Sequence, residues 1–165
     1  MFGLDPLVDL FRGEEVLEFL QEVLTAELTA INQYFLHAQM CRNWGYHRLY
    51  EQIRRFSIEE MRDAEETTER ILELEGLPNF QRLGRLNIGQ SVPEQLQADL
   101  NQEQINIQAL TAAIQHCTSV GDFTTRRMLE KMVSDEEEHV AWIETQLSAI
   151  QQVGLENYLA AQLHD

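Results

Sequence analysis

Four apolar stripes with three- and four-residue spacing run along this 165-residue chain, and a charged side chain interrupts each one near its middle. The first stripe reads Leu20, Leu24, Glu27, Ile31, Tyr34 and Ala38. The second reads Leu49, Ile53, Phe56, Glu60, Asp63, Thr67, Ile71 and Leu74. The third reads Leu96, Leu100, Glu103, Ile107, Leu110, Ile114 and Cys117, and the fourth Leu129, Met132, Glu136, His139, Ile143, Leu147 and Ile150. Such spacing is the core seam of packed α-helices. No segment shows the sustained alternation of a strand, so the chain is confined to all-α architectures.

Punctuation sets the helix lengths. The chain holds only three prolines and eight glycines. Asp5 and Pro6 read as a cap and first helical position, and Ser91 with Glu94 as a capping box around Pro93. Breaks fall at 43–45, 120–122 and 153–155, with a longer loop from Gly76 to Gln90. The pattern predicts helices over 13–43, 45–75, 92–119 and 122–152 and a short fifth over 156–163, after an N-terminal extension of residues 1–12, all in one domain spanning 1–165. Short breaks make two antiparallel hairpins. A 28-residue helix is roughly 42 Å long, and a 15-residue loop reaches ~50 Å. The loop therefore runs the length of a four-helix bundle as its single crossover.

The interruptions carry the chemistry. Glu27 precedes Glu60 by 33 residues, and Glu103 precedes Glu136 by the same 33. Two hairpins of equal span put four carboxylates at one level of the bundle. Asp63 and His139 follow Glu60 and Glu136 by one turn, on the same faces. Burying one unpaired carboxylate costs several kcal/mol, and four or five require cations to neutralise them. Oxygen donors with one imidazole suit iron or manganese, and zinc less exclusively. Among 21 glutamates, one acid on a stripe is commonly a rim residue. Two matching intervals, with Glu-x-x-Asp and Glu-x-x-His on the second and fourth helices, set these four apart. The donor pattern resembles that of ferritin-like di-iron carboxylate bundles, with Asp63 in place of one of their two histidines.

The balance of 28 acids against 12 bases, a net −16, excludes nucleic acid and anionic membrane as natural partners and favours cations. Five acids assigned to the metal site leave 23 expected on the surfaces. Cys41 and Cys117 are too few for a disulfide scaffold or a Cys-x-x-Cys knuckle. No apolar run reaches the length of a membrane span. The opening MFGLDPLVDLFRGEE contains acids and does not read as a secretory signal, so a cytoplasmic location is expected.

The stretches AELTAINQYFLHAQMCRNWG, ERILELEGLPNFQRLGRLNIG, SDEEEHVAWIETQL and GLENYLAAQL resemble the bacterioferritins. The likeness covers nearly the whole chain after a short N-terminal stretch. It implies a hollow 24-subunit shell that stores ferric mineral, a di-iron ferroxidase centre in each subunit and haem b between subunit pairs. The implied ligands are Glu27, Glu60, Glu103, Glu136 and His139, with Glu60 and Glu136 bridging the metals and Tyr34 close by. One position departs: Asp63 stands where the family has His. Ligation there runs through a δ nitrogen, and Asp offers a δ oxygen after the same number of bonds. One reading keeps Asp63 as an iron ligand in a centre biased toward the ferric state, with slow turnover. The other makes this a haem-bearing storage subunit with an impaired centre, co-assembling with a competent partner.

The resemblance also implies that Met61 is the haem axial ligand. Leu28, Ile31, Asn32, Phe35 and Ile58 match or resemble the family's pocket lining, and Arg54 stands where an aromatic residue is expected. Without the resemblance, Met61 reads as an ordinary helix-contact methionine. Arg55, with Glu59 nearby, occupies the place of a cavity-side histidine, which puts a relay iron site there in doubt. His37, His47, His116 and His164 show no paired ligand spacing and read as surface or core residues, Cys117 as a small core residue, Trp44 and Trp142 as packing anchors. The reaction implied is oxidation of Fe²⁺ by O₂ or H₂O₂, with haem-linked iron release and a bacterioferritin-associated ferredoxin as electron donor. A rubrerythrin would need four further cysteines, and a DNA-protecting miniferritin places its ligands between subunits.

Overall fold

Proline-free runs rich in Leu, Ala, Glu and Gln propagate as helices until a residue with left-handed backbone ends them. The computed structural model describes residues 6–163, with side chains described from residue 13 onward. Its helices are α1 (Pro6–Asn43), α2 (His47–Glu73), α3 (Val92–Val120), α4 (Phe123–Val153) and α5 (Leu155–Ala160). Gly45, Gly121 and Gly154 have positive φ at the breaks, and Glu75 closes α2 with φ 63°.

α1 begins at Pro6 and not at 13, so part of the expected extension continues the first bundle helix. Proline pre-sets the backbone of a first helical turn, and Gly13 sits in open space without breaking the run. Asp5 and His164 lie outside the described residues. At α3, Ser91 Oγ accepts from the Glu94 amide, while Glu94 Oε2 accepts from the Gln90 amide, one residue before the cap. Asp122 caps α4 through Thr125, and Arg70 ties the end of α2 to both residues.

α1 packs on α2 and α3, and α4 on α3 and α2. Cross-helix bonds such as Cys41 to Gln95 and Gln102 to Ala26 run antiparallel between α1 and α3. The order is therefore up, down, down, up. The down-down step needs the crossover, and α1 holds it with four polar pegs. Gln21 pairs with Asn79, Thr29 accepts from the Gly84 amide, Gln33 from Asn87 and His37 from Gly89. These loop amides would otherwise have no helical or strand partner.

Gly89 has no room for a side chain: an added Cβ would lie 2.3 Å from the Gln95 amide nitrogen and 2.6 Å from the Glu94 carbonyl carbon. Gly89→Ala is expected to lower stability by about 2 kcal/mol, seen as a lower thermal midpoint. An unchanged midpoint would show that the loop relocates freely.

The interior divides into two apolar clusters. One gathers Leu20, Leu24, Leu110, Leu129 and Met132, the other Tyr34, Leu49, Ile53, Phe56, Leu96 and Ile143. On α3, Asn106 and Ala113 are buried while Ile107 and Ile114 are only partly so, which rotates the expected stripe by about one residue. Trp142 packs edge-on against Phe56 at 5.3 Å. Trp44 does not anchor the core: it is exposed, with its ring 6.3 Å from Tyr46. Among the described residues no helix is long and apolar enough to cross a membrane.

Candidate metal centre

Between the two apolar clusters lies a layer of ionisable side chains. Glu27, Glu60, Glu103, Glu136 and His139 are all at most 3 % exposed. Their helices are held apolar-to-apolar above and below, so these residues cannot turn to solvent without breaking the seam. Ligand atoms of Glu60, Glu103, Glu136 and His139 lie within 4.8 Å of one another. Glu27 and Asp63 stand outside that tight set. Glu27 Oε1 accepts from the Thr67 hydroxyl at 2.9 Å. Asp63 is 8 % exposed and faces a cavity between α2 and α4.

The imidazole is held from both sides. His139 Nδ1 points into the layer, 3.2 Å from Glu103 Oε1, 3.6 Å from Glu60 and 3.9 Å from Glu136. Nε2 donates to Glu59 Oε2 at 2.7 Å, and Glu59 in turn meets Arg55 at 3.6 Å. A carboxylate on the far nitrogen fixes the ring and leaves Nδ1 as the donor for a metal. Tyr34 donates its hydroxyl proton to Glu103. Asn106 donates to Glu60 at 3.4 Å and is itself oriented by Gln102.

Protonation follows from burial and crowding. Burial first, then the Glu60 charge, raises Glu27 well above the usual carboxylate range. Burial and the Glu60 and Glu103 charges do the same to Glu136. Burial raises Glu60. Burial, Glu60, Asp135 and Glu66 push Asp63 up to about 7. Burial alone would lower His139, but hydrogen bonds and charge from Glu103 and Glu60 hold it up to about 11. Without cations the layer therefore retains protons.

The donor chemistry fits metal ions. Glu27, Glu60, Glu103 and Glu136 each present one buried carboxylate oxygen with no hydrogen-bond partner among the described residues. Four orphaned oxygens in one layer would cost several kcal/mol, and cations satisfy them directly.

A second buried charged group escaped the sequence reading. Asp99 is 1 % exposed, so the acids beyond the metal set do not all cover the surface. It accepts from His37 Nδ1 at 2.8 Å and from Gln33 at 2.9 Å. Because His37 Nε2 accepts from the Gly89 amide at 3.0 Å, its proton sits on Nδ1. This network seats the crossover loop. The signal was present in Gln33, His37 and Cys41, polar or small groups at four-residue steps on one face of α1.

Fold and layer together define a ferritin-like protein, and a family model of the ferritin-like domain matches residues 17–153. A bacterioferritin of Mycobacterium leprae is 51 % identical over 146 residues, covering 88 % of this chain and 92 % of its own. One from Streptomyces coelicolor is 47 % identical, covering 88 % and 87 %. One from Brucella melitensis is 39 % identical over 148 residues, covering 89 % and 92 %. The chain belongs to the bacterioferritin family.

Proposed function

We propose that this chain oxidises and stores iron, with Glu27, Glu60, Asp63, Glu103, Glu136 and His139 binding two ferrous ions as substrate. The observation that supports this best is the buried layer of carboxylates with orphaned oxygens around His139 Nδ1. O₂ or H₂O₂ is the electron acceptor. The carboxylates hold the two ions together and stabilise the higher charge that develops on them. Glu60 and Glu136 would bridge the two ions, as the family resemblance implies. His139 gives up its Nδ1 proton on binding and stays aligned through Glu59. Tyr34 positions Glu103 by donating its hydroxyl proton to it. Ferric product collects in the cavity of a 24-subunit cytoplasmic shell.

Haem b belongs to the same reading. Met61 is 55 % exposed on α2 and Phe35 56 % on α1, two large apolar side chains left open to a partner or a cofactor. Ser57 donates to the Ile31 carbonyl, a register that sets Leu28 at about the level of Met61 and Phe35 at about that of Arg54. On a two-fold axis, Met61 and its mate on a second copy would hold the haem. Bound haem supplies a one-electron carrier for releasing stored iron, with a bacterioferritin-associated ferredoxin as donor. Met61→Ala is expected to abolish the haem absorption band after expression with ample haem; a band of unchanged position and intensity would remove Met61 as ligand.

Stopped-flow absorbance after ferrous addition tests the central reading. A fast phase saturating with the binding of two ions is expected, and Asp63→His is expected to speed later turnovers. Equal rates in both proteins would show that Asp63 does not shape the centre. Absence of a fast phase in the natural chain, with its appearance on mixing with a second subunit type, would favour the impaired-subunit reading that Asp63 motivates.

A further inference from the structure

We propose that Gln102 and Asn106 are positioning residues of the metal layer: hydrogen-bonded in series, they fix which oxygen of Glu60 is left free beside His139. These roles rest on the iron-centre reading, because the free oxygen is the one offered to an ion.

The need for such a pair lies in the Glu60 side chain. The terminal torsion of a glutamate joins an sp³ to an sp² carbon and has no sharp staggered wells. Packing fixes the stem and leaves the carboxylate plane to turn. Glu60 is fully buried, and its two oxygens differ. Oε2 accepts from Asn106 Nδ2 at 3.4 Å. Oε1 has no hydrogen-bond partner among the described residues and lies 3.6 Å from His139 Nδ1. Held at Oε2, the carboxylate presents Oε1 to the layer beside the imidazole donor, and Oε2 keeps a further lone pair.

The direction of the Asn106 bond is settled two steps away. An amide can flip, exchanging its donor and acceptor ends. A flipped Asn106 would set its carbonyl oxygen against the Glu60 carboxylate, two acceptors face to face. Gln102 prevents this, because its Nε2 donates to Asn106 Oδ1 at 2.9 Å. The same Nε2 also donates to the Ala26 carbonyl at 3.4 Å. A main-chain carbonyl cannot become a donor, so it sets the polarity of the whole series. Ala26, Gln102, Asn106 and Glu60 are all at most 7 % exposed, a setting in which hydrogen bonds hold orientation strongly. The series joins three helices: Ala26 on α1 next to Glu27, the two amides one turn apart on α3, and Glu60 on α2. Apolar side chains at 102 and 106 would fill the same space without the cost of burying two amides, and would leave the Glu60 torsion unset.

Co²⁺ binding to the assembled full-length protein tests this, by titration and by the visible absorption of the bound ion, which reports the atoms around it. Asn106→Leu keeps the volume and removes the donor. It is expected to bind Co²⁺ about tenfold more weakly, with shifted absorption bands. Gln102→Met leaves Asn106 in place but free to flip, and a loss of about threefold is expected. Added to Asn106→Leu, Gln102→Met is expected to change nothing further, because Gln102 acts through Asn106. Unchanged affinity and bands in Asn106→Leu, or a Gln102→Met effect of the same size in both backgrounds, would overturn the proposal. If Asn106→Leu does not assemble, Gln102→Met alone decides, and natural affinity and bands in that variant would overturn it. A natural chain that binds no Co²⁺ at the layer would remove the iron-centre reading itself, an outcome distinct from variants that all bind as the natural chain does.

Discussion

Replacing Glu60 with glutamine is expected to slow ferrous oxidation about a hundredfold or more while making the metal-free protein harder to unfold. Loss of a group that merely orients a metal ligand typically costs 10–100-fold, and loss of a direct ligand is expected to cost at least that. The stability gain has a separate origin. The Glu60 charge contributes to the raised values of Glu27, Asp63 and Glu136, so it is the common source of repulsion in the layer. Glutamine keeps the shape and the acceptor that Asn106 uses, and removes the charge. His139 still has Glu59 at 2.7 Å and Glu103 at 3.2 Å. A gain of roughly 1–2 kcal/mol is in the range found when functional strain is relieved. Stopped-flow kinetics and thermal unfolding of chelator-treated protein measure the two effects. A variant that is slower but no more stable would mean that the Glu60 charge is not a net source of strain in the metal-free layer, and a variant of undiminished rate would remove Glu60 from the centre.

The level of the buried carboxylate layer was legible because two equal 33-residue intervals and the 3.6-residue period leave little freedom in where those side chains meet. The groups that support it were not. Thr67, Asn106 and Glu59 contact the layer through pairs 40, 46 and 80 residues apart, and no local period encodes such pairs. The third stripe misled for a related reason. Ile107 and Ile114 look like seam residues, but the face of α3 turned to the layer has to supply Asn106, and apolar content says nothing about that need. The crossover loop was legible as a span and not as a path. Its path depends on backbone amides finding Gln21, Thr29, Gln33 and His37, partners visible only once the loop lies against α1. Asp63 falls between these cases. Sequence alone marks it as a departure, while its orientation toward the α2–α4 cavity had to come from the structure.

The thermal midpoint of metal-free protein is expected to fall as pH rises from mildly acidic to mildly alkaline, and divalent metal to reverse the trend. Each shifted group in the layer has a raised value. A carboxyl that holds its proton more tightly folded than unfolded favours folding at low pH, and that contribution is lost as pH climbs from its unfolded value toward its folded one. For Asp63 the window runs from the usual Asp range near 4 up to about 7. Glu27 and Glu136 extend the decline upward from the usual Glu range, in the same direction. The His139 contribution is fully present below the usual imidazole value near 6.5 and is lost as pH rises toward about 11. A drop on the order of 5–10 °C between pH 5 and pH 8 is expected. Metal acts in the opposite sense because it binds only the deprotonated ligands and releases their protons. At a hundredfold excess over its dissociation constant, one bound ion stabilises by about 2.7 kcal/mol. Zn²⁺ or Co²⁺ should therefore raise the midpoint little at pH 5 and strongly at pH 8, where calorimetry in buffers of different ionisation enthalpy should detect protons leaving the site. A metal-free midpoint that rises through this range, or a metal-induced shift independent of pH, would mean that the layer is charged before metal arrives.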